Sequence, residues 1–338
     1  DDLSPDASAN RELWESAGGK TGEILDGDAL ASAVHRFSRA ALLVDALLGT
    51  GTRYDVQGLL RDAIAAVNRS GRPIVAVDLP SGVDATTGGI LGEAIRARLT
   101  VTFGLVKTGL VLYPAASCTG RIRVVDIGIP EEFITELNPK DSLIEIEDIR
   151  PLLAPRDPSG HKGTYGHAFL IGGSEGRTGA ITLSAEGALR VGTGLVTVGA
   201  PQSLISILET KLTEAMKEPL AETDEKQVAE KALHRIAELA ENKSAIGLGP
   251  GIGLSRETGR VVRELVRSLR KPLVVDADAL THLAEDLNVL HEAANARILT
   301  PHPGEMARLA GKSVEAVQRE RLETARQFAM GNGVVVVL

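Results

Sequence analysis

The sequence predicts an α/β protein made of two consecutive domains, each built on a parallel sheet. The chain has 338 residues, and domains of roughly 150 residues suggest about two of them. Runs rich in Val, Ile and Leu alternate with segments of helical apolar spacing, which is typical of parallel sheets covered by helices. A proline-rich, charged segment over about 138–163 interrupts this alternation, as expected of a link between domains. We therefore place the domains at residues 1–142 and 143–338.

The composition narrows the class of function. Hydrophobic residues make up 43% and charged residues 24% of the chain, as in folded globular proteins. The net charge of −8, without a basic run, argues against nucleic-acid binding, and no apolar run approaches the length of a membrane span. The single cysteine, Cys118, excludes an internal disulfide framework and a cysteine-rich zinc site. One cysteine suits a reducing compartment, so we expect a cytoplasmic protein.

The first domain should carry acidic residues at the ends of two strands. Its predicted elements are strands within 40–48, 73–79, 98–103 and 121–127 and a helix over 58–69. Asp45 precedes a Gly-Thr-Gly sequence, and Asp78 precedes the turn Pro-Ser-Gly-Val-Asp. Because parallel sheets bind ligands at the carboxyl ends of their strands, we expect both carboxylates to face one crevice. Each motif is also compatible with a plain turn.

The second domain repeats the α/β pattern. Its predicted strands are 166–172, 195–199, 244–248, 272–276 and 297–300, and its predicted helices are 179–191, 224–241, 255–269, 279–285 and 313–330. The last six residues, 333–338, resemble a buried strand that is normally followed by more structure. Together with a first residue other than Met, this leads us to expect an internal segment of a longer protein, with both domains incomplete.

Glycine, aspartate or histidine follows several strands of the second domain. A Gly-rich turn over 172–180 joins a strand to a helix and suits an anion or a ribose, but it is not a Walker motif. Further turns are Gly249–Gly253 and Asp276–Asp278. His302 lies between two prolines, which predicts an extended loop. The other histidines at 35, 234, 282 and 291 have no ligand spacing and are interpreted as surface or packing residues, and Lys107 as either a phosphate contact or a solvated side chain.

Read in order, these motifs resemble two known families. The motifs of the second half are His161-Lys-Gly-Thr-Tyr-Gly-His167, Gly172-Gly-Ser-Glu-Gly-Arg-Thr-Gly-Ala180, Gly192-Thr-Gly-Leu-Val-Thr197, Gly249-Pro-Gly-Ile-Gly253, Val275-Asp-Ala-Asp-Ala-Leu280 and Thr300-Pro-His-Pro-Gly-Glu-Met-Ala-Arg308. They resemble the ADP-dependent NAD(P)H-hydrate dehydratases, which have a ribokinase-like fold. The motifs of the first half are Val44-Asp-Ala-Leu-Leu-Gly-Thr-Gly51, Val77-Asp-Leu-Pro-Ser-Gly-Val-Asp84, Thr102-Phe-Gly-Leu-Val-Lys-Thr-Gly109 and Asp126-Ile-Gly-Ile-Pro130. They resemble the NAD(P)H-hydrate epimerases, which have a Rossmann-like fold. The two families are fused in this order in bifunctional bacterial repair enzymes.

The resemblance implies two three-layer α/β/α domains and a set of site residues. In the first domain it implies a potassium ion on Asp45 and Ser81, and Asp78 as the proton-transferring and substrate-binding residue. The other implied substrate contacts of this domain are Gly49, Thr50, Gly51, Thr52, Arg53, Tyr54 and Asp55. In the second domain the implied hydrate contacts are Ala180, Gly253, His302, Pro303, Gly304, Glu305, Met306, Ala307 and Arg308. The implied co-substrate is ADP with Mg²⁺, and the implied assembly is a homo-oligomer.

Two family motifs do not occur in the 338 residues. The epimerases carry an Asn-Asn-Gly-Gly-Asp-Gly loop upstream of the first motif, and the dehydratases carry a Gly-Thr-Gly-Asp motif downstream of the last one. Two other functions remain compatible with the sequence. One is a ribokinase-like small-molecule kinase, which would release a phosphorylated product. The other is a binding protein that has kept the fold and lost the chemistry.

Overall fold

A computed structural model describes residues 4–153 and 155–338. The chain divides into two compact units, Asp1–Ile146 and Glu147–Leu338. Both contain parallel sheets with helices between the strands, which confirms the predicted α/β class. None of the described helices is long and apolar enough to cross a membrane.

The first unit contains a four-stranded parallel sheet. Its strands are β1 (Leu43–Asp45), β2 (Ile74–Val77), β3 (Leu99–Phe103) and β4 (Arg121–Val125), in the order β1-β2-β3-β4. Its helices are α1 (Pro5–Ser16), α2 (Gly27–Arg39), α3 (Gly58–Arg69), α4 (Thr108–Val111), α5 (Ala116–Thr119) and α6 (Glu131–Leu137), and α7 (Ile146–Ile149) spans the division. Helix α3 buries Ile64 against Ile74 of β2, so the apolar spacing in the sequence becomes the packing contact that holds this sheet.

The second unit contains a seven-stranded parallel sheet. Its strands are β5 (His167–Ile171), β6 (Leu195–Pro201), β7 (Met216–Leu220), β8 (Ala245–Leu248), β9 (Leu273–Val275), β10 (Arg297–Leu299) and β11 (Val335–Val336), in the order β11-β10-β9-β8-β5-β6-β7. Its helices are α8 (Thr178–Arg190), α9 (Ile205–Lys211), α10 (Leu233–Glu241), α11 (Arg256–Ser268), α12 (Asp278–Leu283), α13 (Asn288–His291), α14 (Pro303–Ala310), α15 (Val314–Arg319) and α16 (Arg321–Asn332).

Helices cover both faces of this second sheet. Alternate side chains of a strand point to opposite faces, and β5 divides its residues accordingly. Phe169 and Ile171 join a cluster with residues of α10 and α11, whereas Ala168 and Leu170 pack against a cluster that contains Ile181 of α8. The second unit therefore has three layers, and all carboxyl ends of its strands meet at one edge.

Two predicted helices have different residue ranges in the structure, and one strand was not predicted. The helix expected over 224–241 begins as a 3₁₀ turn at Glu230–Ala232 and becomes α10 only at Leu233, because residues 222–228 form a turn closed by a Glu222–Val228 bridge. The single helix expected over 313–330 is two helices, broken at Glu320. Strand β7 was missed because Pro219 and its charged neighbours hide an edge strand, where proline is tolerated.

Candidate functional site

In the first unit, Asp45 and Ser81 form a buried pair at the carboxyl edge of the sheet. Asp45 ends β1 and is 3% exposed, and Ser81 lies in the turn after β2 and is fully buried. The Ser81 hydroxyl donates to Asp45 Oδ1 at 2.6 Å, and its backbone N–H donates to Oδ2 at 2.8 Å. The backbone N–H of Leu48 in turn donates to the Ser81 hydroxyl at 2.9 Å. The structure thus joins the two residues that the sequence predicts to share a metal ion.

The partners of Asp45 are neutral. No described ion pair of the chain includes Asp45; its contacts are N–H and hydroxyl donors. A buried carboxylate without a cation is costly, so the position favours a bound cation. The atoms that surround it are carboxylate, hydroxyl and carbonyl oxygens, with Leu48 O at 3.4 Å from the Ser81 hydroxyl. Such a donor set suits a hard cation.

Asp78 directly follows β2 and has a strained backbone. Its φ of 68° is rare for a residue with a side chain, and such strain is often found at functional sites. Its Oδ1 accepts hydrogen bonds from the backbone N–H of Phe103 at 3.1 Å and from the Thr102 hydroxyl at 3.2 Å, and it pairs with Lys107. Burial raises the pKa of Asp78, but these donors outweigh burial and lower the pKa below its usual value. Asp78 is therefore a carboxylate that can accept a proton at neutral pH.

The two carboxylates lie at the same edge but contact different neighbours. Asp45 bonds to the turn after β2, whereas Asp78 bonds to residues of β3 and the loop after it. The interpretation of Lys107 as a solvated side chain was wrong, because the side chain is 22% exposed and is bonded to Asp78, Thr102 and Phe103. Its interpretation as a phosphate contact stays a prediction.

The loop after β1 is the exposed part of this site. Residues Gly49–Asp55 connect β1 to α3 and, apart from a half-buried Thr52, are exposed, with Tyr54 at 85%. Thr52 closes the loop by donating from its N–H and hydroxyl to the carbonyl of Gly49. The loop thus borders the Asp45–Ser81 pair without a described hydrogen bond from residues 50–55 to either of them.

In the second unit, the Gly-rich turn and the Gly249–Gly253 turn pack together. The turn after β5 leads into α8 at Thr178, as predicted. A Cβ on Gly251 would lie 2.8 Å from the carbonyl oxygen of Arg177 and 3.2 Å from Ala180 Cβ, so only glycine allows this approach. The turn that carries Gly251 and Gly253 therefore packs against the start of α8, where Ala180 lies. Beside them lies a cavity of about 390 Å³ lined by Ser174, Glu175, Arg177, Glu225, Gln227, Leu254 and Ser255.

Helix α12 supplies the contacts that fix this arrangement. Asp278 Oδ2 accepts from the backbone N–H of Gly253 at 3.0 Å and from Arg177 Nη1 at 2.8 Å. His282 is buried and its Nε2 donates to the carbonyl of Gly253 at 2.9 Å. The interpretation of His282 as a packing residue without a site role was incomplete. Its spacing in the sequence gave no signal because its partner is a backbone atom 29 residues away.

The predicted stretch His302–Arg308 forms the start of α14. His302 was expected in an extended loop; its own backbone is extended, but it caps the helix that begins at Pro303. Its Nδ1 accepts from the N–H of Gly304 at 3.0 Å, and Glu305 accepts from the N–H of His302 at 3.0 Å. Arg308 donates to Thr281 of α12 at 2.9 Å. Met306 and Ala307 are buried in the core, so their side chains hold α14 in place.

No group of three or more His, Cys, Asp or Glu side chains within residues 4–153 and 155–338 has the geometry of a metal site. This finding concerns the Mg²⁺ that is expected with ADP in the second unit. In the second unit, Asp276 is bonded to the Thr300 hydroxyl at 2.8 Å and Asp278 to Arg177, so the carboxylates at this edge already have partners. Magnesium is often held chiefly by phosphates and water. A site of that kind, assembled with a nucleotide, would fit these residues.

Comparisons with known proteins cover both units. A family model described as NAD(P)H-hydrate dehydratase matches residues 168–338, which is half of the chain. A model described as the YjeF-related protein N-terminus matches residues 1–109.

Curated relatives match nearly the whole chain. A bifunctional NAD(P)H-hydrate repair enzyme of Moorella thermoacetica is 42% identical over 97% of this chain and 62% of its own length. That of Escherichia coli is 36% identical over 99% of this chain and 60% of its own length. The chain thus spans about six tenths of the length of these relatives. A solved ADP/ATP-dependent NAD(P)H-hydrate dehydratase from Bacillus subtilis, co-crystallized with ATP/Mg²⁺, is 31% identical, with a TM-score of 0.45 over 57% of this chain and 64% of its own.

Proposed function

Because this chain belongs to the NAD(P)H-hydrate dehydratase family, we propose that it repairs hydrated nicotinamide cofactors. The first unit interconverts the R and S forms of the hydrate, NAD(P)HX. The second unit converts the S form to NAD(P)H with ADP as co-substrate. The matches of residues 1–109 and 168–338 to the two family models, and of the chain to bifunctional relatives, support this pair of activities.

For the epimerase step, Asp78 transfers a proton during inversion at the hydrated ring carbon: it takes a proton from the hydrate and returns one when the other epimer forms, so no net proton is consumed. Asp78 is ionised at neutral pH, partly exposed and placed at the carboxyl edge of the sheet, where parallel sheets bind ligands. The exposed loop Gly49–Asp55 binds the hydrate beside it. Removal of a proton by a positioned carboxylate contributes roughly 10²–10⁴-fold to a rate.

A potassium ion belongs to the same proposal. Asp45 and Ser81 would hold it, because the buried carboxylate has only neutral partners and the surrounding atoms are oxygens. When bound, the ion supplies positive charge that offsets the buried carboxylate and attracts the anionic dinucleotide. The chain's own residues orient the ligands: Ser81 fixes both oxygens of Asp45.

For the dehydratase step, the second unit positions the hydrate for phosphoryl transfer. The hydroxyl oxygen of the hydrate attacks the terminal phosphorus of the nucleotide, and the bond from that phosphorus to the departing nucleotide breaks. Phosphate then leaves with the carbon–oxygen bond pair and a ring proton is lost, which restores the dihydronicotinamide. Ala180, Gly253 and the turn from His302 hold the hydrate, and Asp278 fixes the Gly253 turn by accepting from its backbone N–H. ADP brings Mg²⁺ through its phosphates. Assembly as a homo-oligomer is part of the same proposal.

The observation that carries the proposal is the clustering of predicted contacts at one strand edge in each unit. Its test is to supply pure R or pure S hydrate, with and without ADP and Mg²⁺, and to follow NADH recovery. We expect ADP-dependent recovery from both forms, faster from R than spontaneous epimerisation permits. Recovery from S alone would remove the epimerase half of the proposal. A stable phosphorylated product without NADH would indicate a kinase, and binding without turnover a binding protein.

A further inference from the structure

Three donors converge on one oxygen of Asp78. The Lys107 ammonium, the Phe103 backbone N–H and the Thr102 hydroxyl all reach Oδ1. No hydrogen bond among the described residues reaches Oδ2. A carboxylate held in this way has a fixed orientation and presents its second oxygen with a free acceptor site. The side chain is 22% exposed, so part of it is accessible at the strand edge.

Lys107 is itself fully engaged. Besides Asp78, its ammonium donates to the carbonyl of Phe103 at 2.9 Å and to the hydroxyl of Thr102 at 3.1 Å. An ammonium has three N–H donors, and each of the three has an acceptor here. Thr102 is fully buried in β3, so its hydroxyl is a rigid support for both charged groups. The lysine therefore cannot bind a substrate phosphate without giving up one of these three acceptors.

We propose that Lys107 is the positioning residue for Asp78 in the epimerisation: anchored by Thr102 and Phe103, it holds Oδ1 and keeps Oδ2 ionised and directed at the substrate. This inference rests on the proposed function of the first unit. It assigns Lys107 to the reaction through Asp78 rather than through a contact of its own with the hydrate.

The charges around Asp78 support this role. Lys107 is the charged side chain that shifts the pKa of Asp78. The other groups that shift it are the neutral Thr102 hydroxyl and the Phe103 N–H. Asp45, at the end of the neighbouring strand, is bonded to Ser81. Burial raises the pKa of Asp78, and the pair with Lys107 contributes most to lowering it. Loss of the ammonium should therefore raise the pKa, and the carboxylate would become protonated at a higher pH.

The test is the pH profile of epimerase kcat/KM for the unaltered protein and for Lys107→Met. We expect Lys107→Met to lose roughly tenfold or more in kcat, at the low end of the range for acid–base groups, with KM changed less. The acidic limb of its profile should move to higher pH, because a protonated Asp78 cannot accept a proton. Lys107→Arg should restore part of the rate. Lys140→Met, an exposed lysine outside the site, is the matched control and should change nothing.

A double variant separates positioning from a general loss of structure. If Lys107 acts through Asp78, Lys107→Met should cause no further loss in an Asp78→Asn background. Multiplied losses, or an unmoved acidic limb in Lys107→Met, would overturn the inference. If the unaltered protein does not epimerise the hydrate, the proposed function fails instead. In that case, NMR titration of the Asp78 carboxyl still tests whether Lys107 controls its ionisation. An equal pKa of Asp78 in the unaltered protein and in Lys107→Met would reject the pairing.

Discussion

Ser81 donates two hydrogen bonds to Asp45, one to each carboxylate oxygen, across 36 residues of sequence. This contact ties the end of β1 to the turn after β2. Both side chains are buried, so the pair is a fixed part of the sheet edge. Its geometry explains why an aspartate in an apolar strand is tolerated: Ser81 and the backbone N–H of Leu47 donate hydrogen bonds to the buried carboxylate.

Ser81→Ala should weaken both stability and the response to potassium. The change removes the 2.6 Å bond to Asp45 and leaves the N–H of Leu48 without its acceptor, and each buried unpaired group costs about 1–3 kcal/mol. Thermal unfolding in potassium and in a salt of a large organic cation measures both effects. We expect potassium to stabilise the unaltered protein and to have less effect on Ser81→Ala. Ser117→Ala, at an exposed hydroxyl, is the control, and an equal potassium shift in all three proteins would argue against a cation at Asp45.

Gly259→Ala and His282→Ala should both weaken binding of the S hydrate and lower the stability of the second unit. His282→Ala leaves the Gly253 carbonyl without its donor, at a cost of about 1–3 kcal/mol. In Gly259→Ala the new Cβ would lie 2.7 Å from His282 Nδ1 and displace the ring, so the same hydrogen bond is lost. The gain of up to about 1 kcal/mol from alanine within α11 offsets only part of this loss. Dehydratase KM should rise in both variants, and urea unfolding should show a loss of stability in both.

The control for this pair is Gly187→Ala in α8, where a Cβ would meet nothing within 4 Å. It should leave the dehydratase KM unchanged. If Gly259→Ala also leaves KM unchanged, then His282 does not position the Gly253 turn for substrate.

The positions of Asp45 and Asp78 at strand ends could be predicted because they depend only on the neighbouring sequence. Asp45 and Asp78 each follow a run of apolar residues, and parallel sheets bring such ends to one edge. The Gly-rich turn into α8 is found for the same reason. Lys107 and His282 behave differently, because their roles depend on partners 29 residues away on other elements. The sequence around Lys107 and around His282 gives no sign that either side chain bonds to an oxygen on a neighbouring strand end or turn.

Two further differences between the sequence predictions and the structure lie at the edge of a sheet and at the start of a helix. Strand β7 contains Pro219 and lies at the edge of its sheet, where side-chain pattern is weakest. His302 looks like a loop residue between two prolines, yet proline at the first helical position with a preceding cap is how many helices begin. The same residues therefore fit a loop or a helix start, and the capping bonds decide between them.

Arg297 should be a sensitive stability position of the second unit. It is 1% exposed at the start of β10, and its guanidinium donates to five backbone carbonyls, including Val266 O and Leu269 O at 2.7 Å at the end of α11. No carboxylate is paired with it in the described part of the chain, so the helix end and the carbonyl dipoles offset its charge. Burial lowers its pKa, but an arginine stays charged at neutral pH.

Arg297→Met should leave buried carbonyls unpaired and reduce the free energy of unfolding by about 2–4 kcal/mol, as measured in urea. Arg297→Lys should recover only part of this, because an ammonium has three donors on one atom and cannot span five acceptors. Arg270→Met, at an exposed arginine close by, should change the unfolding free energy by less than about 0.5 kcal/mol. A similarly small loss for Arg297→Met would mean that the carbonyls are satisfied without the guanidinium.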